Sequence, residues 1–318
     1  MNLNLRRPRF WEHRGLSALL LWPLSRAYSW LMRARMAHGR TKKLPLPCLC
    51  VGNATVGGEG KTPIVMAIAQ KALIQGIKVA VVTKPHHVSV KNTFQVDPLQ
   101  HTVLQVGDEA LMVARRGIPT YVCADRYEAA VYCAEKGVNL IIFDDGFQDP
   151  KIQKSYRLLI ISPAPGKGFV LPAGPWREDA MAALQRADAY IVSKDIDCSS
   201  FPEKPRHILH RHIFFPKTIK NRPVVAFCGL GRPEQFKDSL LKAGIKLIDF
   251  IAFPDHHVYS DYDLKILSSH ALKESAQLVS TEKDLVKIPL NSSLQVHKIE
   301  LRIDLDQLQS IIDMTISG

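Results

Sequence analysis

The sequence predicts an α/β fold: a parallel-sheet domain with helices on both faces, a second, smaller α/β domain, and an N-terminal helix outside both. Three observations carry this. Short unbroken runs of Val, Ile and Leu alternate with segments of helical periodicity, the pattern of strands buried on both faces of a parallel sheet. A glycine-rich stretch at 51–63, Val-Gly-Asn-Ala-Thr-Val-Gly-Gly-Glu-Gly-Lys-Thr-Pro, follows the first apolar run and opens a helix-like segment. The alternation then pauses over the Pro-, His- and Lys/Arg-containing segment 201–223, which reads as a linker or a pair of short connecting strands, and its resumption marks a second unit.

The N-terminus comes first. Residues 1–43 carry most of the formal net charge of +12, with Glu12 their single acid. Between those charges lies Leu16-Ser-Ala-Leu-Leu-Leu-Trp-Pro-Leu24, with Phe10 and Trp11 ahead of it and Tyr28, Trp30, Leu31 and Met32 behind. An apolar centre, aromatic residues and basic flanks describe a helix lying in, or dipping into, a membrane interface. Each basic residue near an anionic surface contributes about 1 kcal/mol to holding it there. A helix packed on the protein's own core is the alternative. The long Arg/Trp-rich lead and the lack of a small-residue cleavage site argue against a secretory signal, and no run reaches the ~20 apolar residues of a membrane span. The basic charge is not spread over the folded part with aromatics interleaved, so no nucleic-acid partner is expected.

Strands are expected at 44–51, 78–83, 102–106, 119–123, 139–143, 157–162 and 189–193, with helices at 64–74, 108–116, 127–136 and 180–187. In the second unit, strands are expected at 224–229, 247–253, 277–280 and 295–301, and Gly229-Leu-Gly231 reads as a tight strand-to-helix turn. The expected divisions are 1–38 for the membrane-associated helix, 39–205 for the nucleotide-binding domain, 206–223 for a linker and 224–318 for the smaller domain. A hydrophobic content of 46% suits sizeable cores. Six scattered cysteines without a C-x-x-C pair read as buried thiols in a reducing cytosol.

The 51–63 stretch has the layout of a nucleotide phosphate cradle. In such a loop, glycines turn backbone N–H groups onto the phosphates, a lysine reaches the β/γ oxygens, and a Ser/Thr hydroxyl holds Mg²⁺ at a positive helix N-terminus. Those roles fall to Gly57, Gly58, Gly60, Lys61 and Thr62, with Thr55, Val56 and Glu59 completing the loop around ATP. The match to G-x-x-x-x-G-K-[ST] is imperfect, because Thr55 stands where the first glycine would be. The strand at 139–143 ends in Asp144-Asp145-Gly146-Phe147-Gln148, and a carboxylate at a strand end beside this loop is where phosphoryl-transfer enzymes place a Mg²⁺ ligand. Asp-Asp-Gly alone is an ordinary turn sequence. Asp108 in Val106-Gly-Asp-Glu-Ala110 suits two roles: an N-cap for the helix it opens, or a group that receives the proton of an acceptor hydroxyl.

Read together, Phe10-Trp11, the 51–63 loop, Gly107-Asp108-Glu109, Asp125-Arg126, Asp144 through Gln148, Leu171-Pro-Ala-Gly-Pro175 with Arg177-Glu178, Phe253-Pro-Asp-His-His257 and Ser280-Thr-Glu-Lys-Asp284 resemble the tetraacyldisaccharide 4′-kinase family of lipid A biosynthesis, in that family's order and over nearly the whole chain. The resemblance implies a kinase at the cytoplasmic face of the bacterial inner membrane, attached through the N-terminal helix. It would move the ATP γ-phosphate to the 4′-hydroxyl of a tetraacylated glucosamine disaccharide 1-phosphate. It implies Asp108 as base, assisted by His257 or its neighbour His256. Asp144 and Asp145 then lie near Mg²⁺, and Arg126, Arg177 and Glu178 lie around the nucleotide and acceptor. Expected partners are the acylated disaccharide lipid and the anionic inner-membrane surface; a monomer is expected.

Two departures stand out. The family's Ser-Arg-Gly-Tyr-Gly after the second strand is replaced by Thr83-Lys-Pro-His-His87, and the histidine that usually follows Asp-Asp-Gly-Phe-Gln is replaced by Asp149. The rival reading from another class is a membrane-associated P-loop ATPase switch that binds protein partners. Gly57 through Thr62 is similar to the loop of the Min/Par partitioning ATPases, but Val56 stands where their signature lysine would be.

Overall fold

The computed structural model describes residues 8–11, 15–56, 60–85, 88–161, 169–193, 196–208, 210–219, 221–303 and 308–318. Gly57, Gly58 and Glu59 of the expected phosphate cradle, and His86 and His87, lie outside these residues. The chain begins with α1 (Leu16–His38), then β1 (Cys48–Asn53), α2 (Lys61–Ile74), β2 (Val79–Thr83), β3 (Phe94–Gln95), α3 (Val103–Val106), α4 (Asp108–Arg115) and β4 (Thr120–Val122). It continues through α5 (Arg126–Glu135), β5 (Leu140–Asp144), β6 (Tyr156–Ile161), α6 (Ala180–Arg186), β7 (Ala189–Val192) and β8 (Arg206–Ile208). These strands form one sheet in the order β3-β4-β2-β5-β1-β6-β7-β8, parallel except at the β3–β4 edge.

Period-2 alternation explains the two-sided core. Along β1, Leu49 and Val51 join one apolar cluster with Ile64 and Ile68 of α2 and Leu111 of α4. Cys48 and Cys50 join the other, with Phe143, Phe147 and Tyr190. Burial pushes the Cys50 thiol up to about 12. β1 lies between β5 and β6, so its carboxyl end opens where the strand order reverses, the usual place for a phosphate ligand.

One expected strand is a helix. Residues 102–106 form the short α3 because Thr102 and Gln105 make a reciprocal capping box, each side chain taking the other's backbone N–H. Gly107, at φ +83°, then turns the chain into α4. The local cap outweighs the strand propensity of the two valines.

A second sheet follows, from β9 (Arg211–Phe214), β10 (Val224–Cys228), α7 (Pro233–Lys242), β11 (Leu247–Ala252), α8 (Asp261–Lys273), β12 (Gln277–Thr281), α9 (Glu282–Leu285) and β13 (Val296–Ile303). Its order is β11-β10-β12-β13-β9, with β9 antiparallel to β13. Of the two readings of the segment before 224, a linker or a pair of short strands, the structure has the strands: β8 is an edge of the first sheet and β9 an edge of the second. The final helix, α10 (Gln309–Ser317), returns to the first sheet, where Ile311 and Ile312 bury beside α2 and β1.

On α1, Ala18 and Ser25 are the buried residues, seven apart on one face. Ser25 Oγ donates to Val170 O at 2.8 Å and accepts Ala173 N–H at 3.0 Å, Trp11 Nε1 donates to Pro172 O at 3.0 Å, and Arg33 pairs with Asp179 at 3.2 Å. The N-terminal segment therefore docks on the Pro-Ala-Gly-Pro loop. It leaves Leu16, Leu20, Trp22, Leu24, Trp30 and Leu31 exposed. No described helix is long and apolar enough to cross a membrane.

Candidate active site

Two groups of side chains meet at the carboxyl end of the first sheet. The first is built from β1, α2 and β5. Gly60 caps α2 at φ +77°, a conformation glycine adopts without penalty, and places Lys61 and Thr62 in the first turn. Lys61 Nζ donates to Asn53 Oδ1 at 3.0 Å and lies 3.7 Å from Asp145 Oδ1. Thr62 Oγ1 donates to Asp144 Oδ2 at 2.9 Å. Beside this turn, Val56 N–H donates to Pro175 O and Arg177 N–H to Ala54 O, both at 2.8 Å, so the Pro-Ala-Gly-Pro loop runs along the glycine-rich loop. Thr55 forms a bridge to Trp176 there.

Asp144 closes β5 and is 2% exposed. Burial, with the charge of Glu109, pushes its carboxyl well above the ordinary range against the pull of Lys61. Its Oδ1 has no hydrogen-bond partner among the described residues. Asp145 follows at φ +56°, and this left-handed turn aims its carboxylate at Arg177 NH1, 3.0 and 3.1 Å from its two oxygens. Arg126 holds the turn from below, donating to Asp145 O at 2.9 Å and to Asp149 Oδ2 at 3.0 Å. Asp149 is thus a counter-charge that orients Arg126. Gln148 Nε2 donates to Asn53 O and to Glu178 Oε1, and Glu178 pairs with Arg186 at 2.6 Å. This turn packs against β1 only because residue 52 is glycine: a Cβ there would stand 2.4 Å from that of Phe147.

A hard divalent cation fits Thr62 Oγ1 and the orphaned Asp144 oxygen. Among the described residues there is no cluster of three or more His, Cys, Asp or Glu able to cage a metal.

The second group joins the two sheets. Asp108 opens α4, and its Oδ2 lies 2.8 Å from His256 Nδ1 and 3.6 Å from Lys283 Nζ. Burial would raise this carboxyl, but the His256 hydrogen bond and the Lys283 charge outweigh it and hold Asp108 well below the usual range. Lys283 also lies 3.4 Å from Asp255. His256 takes φ +59°, an uncommon conformation that aims its ring at Asp108. His257 does not come to Asp108: its Nε2 meets Asp263 Oδ2 at 3.1 Å, and its ring stacks on Phe253 at 4.7 Å. Of the two histidines left open by the sequence, the structure brings His256 to the carboxylate. The Pro-Asp-His-His loop rests on a buried pair, Lys287 with Asp284 at 2.7 Å, and Asp284 also takes Gly229 N–H and the Tyr259 hydroxyl.

Sequence reasoning passed over Asn53, Asp255 and Lys283. Asn53 carried a signal, being the polar end of an apolar strand just before a phosphate loop; Lys283 carried none beyond its place in the Ser280–Asp284 block. Thr62, Lys61, Asp144, Asp145, Arg126, Arg177 and Glu178 are brought together.

A family model described as tetraacyldisaccharide-1-P 4′-kinase, LpxK, matches residues 17–317. The chain belongs to this family. It is 37% identical over 297 residues to a tetraacyldisaccharide 4′-kinase of Hyphomonas neptunium, covering 91% of this chain and 88% of the relative. It is 36% identical over 311 residues to that of Paramagnetospirillum magneticum, covering 95% of each. Among solved structures, it is similar to the "apo" form LpxK of Aquifex aeolicus in complex with ATP, at a TM-score of 0.78 and 28% identity, over 94% of this chain and 99% of that one.

Proposed function

We propose that the two groups of side chains divide the family's reaction between them, the first holding the nucleotide and the second preparing the acceptor. As a member of this family the chain is an ATP-dependent phosphotransferase with an alcohol acceptor, a tetraacyldisaccharide 4′-kinase of lipid A biosynthesis. The single observation that supports the division of labour is the Asp108–His256 contact, with the next residue, Glu109, near enough to act on both Asp144 and Lys283.

Lys61 offsets charge on the β/γ-phosphate oxygens, and Arg177 and Arg126 hold Asp145 in place. Mg²⁺, held by Thr62 and Asp144, would supply further neutralisation of the phosphates. Asp108 accepts the proton of the 4′-hydroxyl as its oxygen bonds to the γ-phosphorus and the bond to the β,γ-bridging oxygen breaks, releasing ADP. A carboxylate held so far below its usual range is a weak base. A loose phosphoryl transition state asks more for an oriented hydroxyl than for a strong base, because the proton leaves late. The exposed Leu and Trp face of α1, flanked by Arg33, Arg35 and Arg40, suits an anionic bilayer in which a four-chain acceptor resides.

The test uses purified protein, γ-labelled ATP and the disaccharide lipid in anionic vesicles. Label should appear at the 4′-position only when lipid is present. Lipid-stimulated ATP hydrolysis without labelled lipid would favour the ATPase-switch reading instead.

A further inference from the structure

We propose that Lys283 is a positioning residue for phosphoryl transfer, its ammonium seated between Asp108 and Asp255 so that the His256 ring engages Asp108 and not Asp255. This rests on the reading of Asp108 as the proton acceptor. α9 is a single turn beside α4, and its two consecutive residues Glu282 and Lys283 reach opposite ends of that helix. Glu282 makes a two-pronged pair with Arg116, Oε1 to Nε at 2.5 Å and Oε2 to NH2 at 2.7 Å, and Glu300 adds a contact to Arg116 NH2 at 3.5 Å. Anchoring α9 to α4 is therefore already achieved without Lys283.

Lys283 does something else. Its Nζ lies 3.6 Å from Asp108 Oδ2 and 3.4 Å from Asp255 Oδ1, with the side chain 20% exposed. The same two carboxylates flank His256, Asp108 at 2.8 Å from Nδ1 and Asp255 at 3.9 Å from Nε2. Without a cation between them, two negative charges would compete for one ring. With it, Asp255 is neutralised and Asp108 takes the histidine. Both His256 and Lys283 act on Oδ2, while Oδ1 accepts the N–H of Glu109. The titratable and charged groups facing Asp108 are then His256, Lys283 and Lys287, with Glu109 and Asp255 as the nearby acids. Burial would discharge Lys283, but Asp108 and Asp255 outweigh it and keep the ammonium charged.

The experiment compares Lys283→Met, Lys283→Gln and Lys283→Arg in full-length protein. It reads kcat and KM for ATP and lipid, affinity for a non-hydrolysable ATP analogue, and thermal melting. Loss of the cation should lower kcat about 10- to 10²-fold in the Met and Gln variants, the scale of lost support around a reacting group. Nucleotide affinity and the KM for ATP should stay within about threefold, so that the loss falls on kcat. Lys283→Arg should recover most of the rate. Folded Met and Gln variants with the parent's kcat would overturn the proposal, as would an arginine variant no faster than the glutamine one. Asp108→Asn is measured alongside. Parent-like turnover in Asp108→Asn removes the base assignment itself, whereas an inactive Asp108→Asn with parent-like Lys283 variants removes only the role of Lys283.

Discussion

The two sides of the site, proposed above to hold the nucleotide and to prepare the acceptor, are built by different means. On the nucleotide side, Asn53, Lys61, Thr62, Asp144 and Asp145 sit at the ends of adjacent elements of one sheet, and the register pairing Val51 with Asp144 places them together. On the acceptor side, Asp108 belongs to the first sheet's layer while His256 and Lys283 come from the second unit, so the pair forms only when the two sheets pack. The first arrangement tolerates relative movement of the units and the second does not. On the proposed division, binding of nucleotide and activation of the acceptor are therefore expected to be separable by substitution.

Substitutions can break that contrast, and Asp108→Asn should do so most. It should cut kcat by roughly 10²–10⁴-fold while ATP-analogue affinity holds, because its contribution arises only as the acceptor attacks. Asparagine caps a helix about as well as aspartate, so melting should hardly change. A near-normal kcat in lipid phosphorylation would reduce Asp108 to a cap.

Lys61→Ala tests the other side. It should lower transfer by at least about 10²-fold, as loss of a preorganised charge contact does, with weaker nucleotide binding as well. Unchanged affinity and rate would remove the cradle assignment.

The histidines sharpen the comparison further. His256→Ala should lose about 10- to 10²-fold in kcat, whereas His257→Ala, which removes only a stack on Phe253 and a contact to Asp263, should stay within a few-fold. The reverse order would move the acceptor side to the other ring.

The smallest effect is one of stability. Because burial raises the Asp144 carboxyl, the native state holds a proton the unfolded chain has lost, so in chelator the wild-type protein should lose stability as pH rises from about 4 to about 7. Asp144→Asn carries no such proton and should melt higher than wild type at pH 8, by roughly 2–4 °C, with the gain absent near pH 4. Parallel melting curves across that range would mean that Asp144 is not penalised by its burial.

The parts of the molecule legible beforehand are those in which neighbours along the chain decide the outcome. Apolar runs of the right length read as β1, β2, β5 and β6. The Gly-Lys-Thr turn read as a phosphate loop because its chemistry lies within a few residues. Residues 102–106 misled because a capping box between Thr102 and Gln105 competes with two valines, and both signals are local. The choice between His256 and His257 was not legible, since the two are adjacent and chemically identical.

By itself, then, the sequence determined the alternating elements, the glycine turn that opens α2 and the carboxylates at the strand ends, through propensity, period and short-range loop geometry. Only the tertiary structure decided which histidine meets Asp108, that Lys283 stands beside it, and that α10 closes on the first core. Asp108 and His256 are 148 positions apart. No periodicity or motif reports a contact over that distance, which depends on how two sheets pack and on the left-handed turn at His256 that aims the ring.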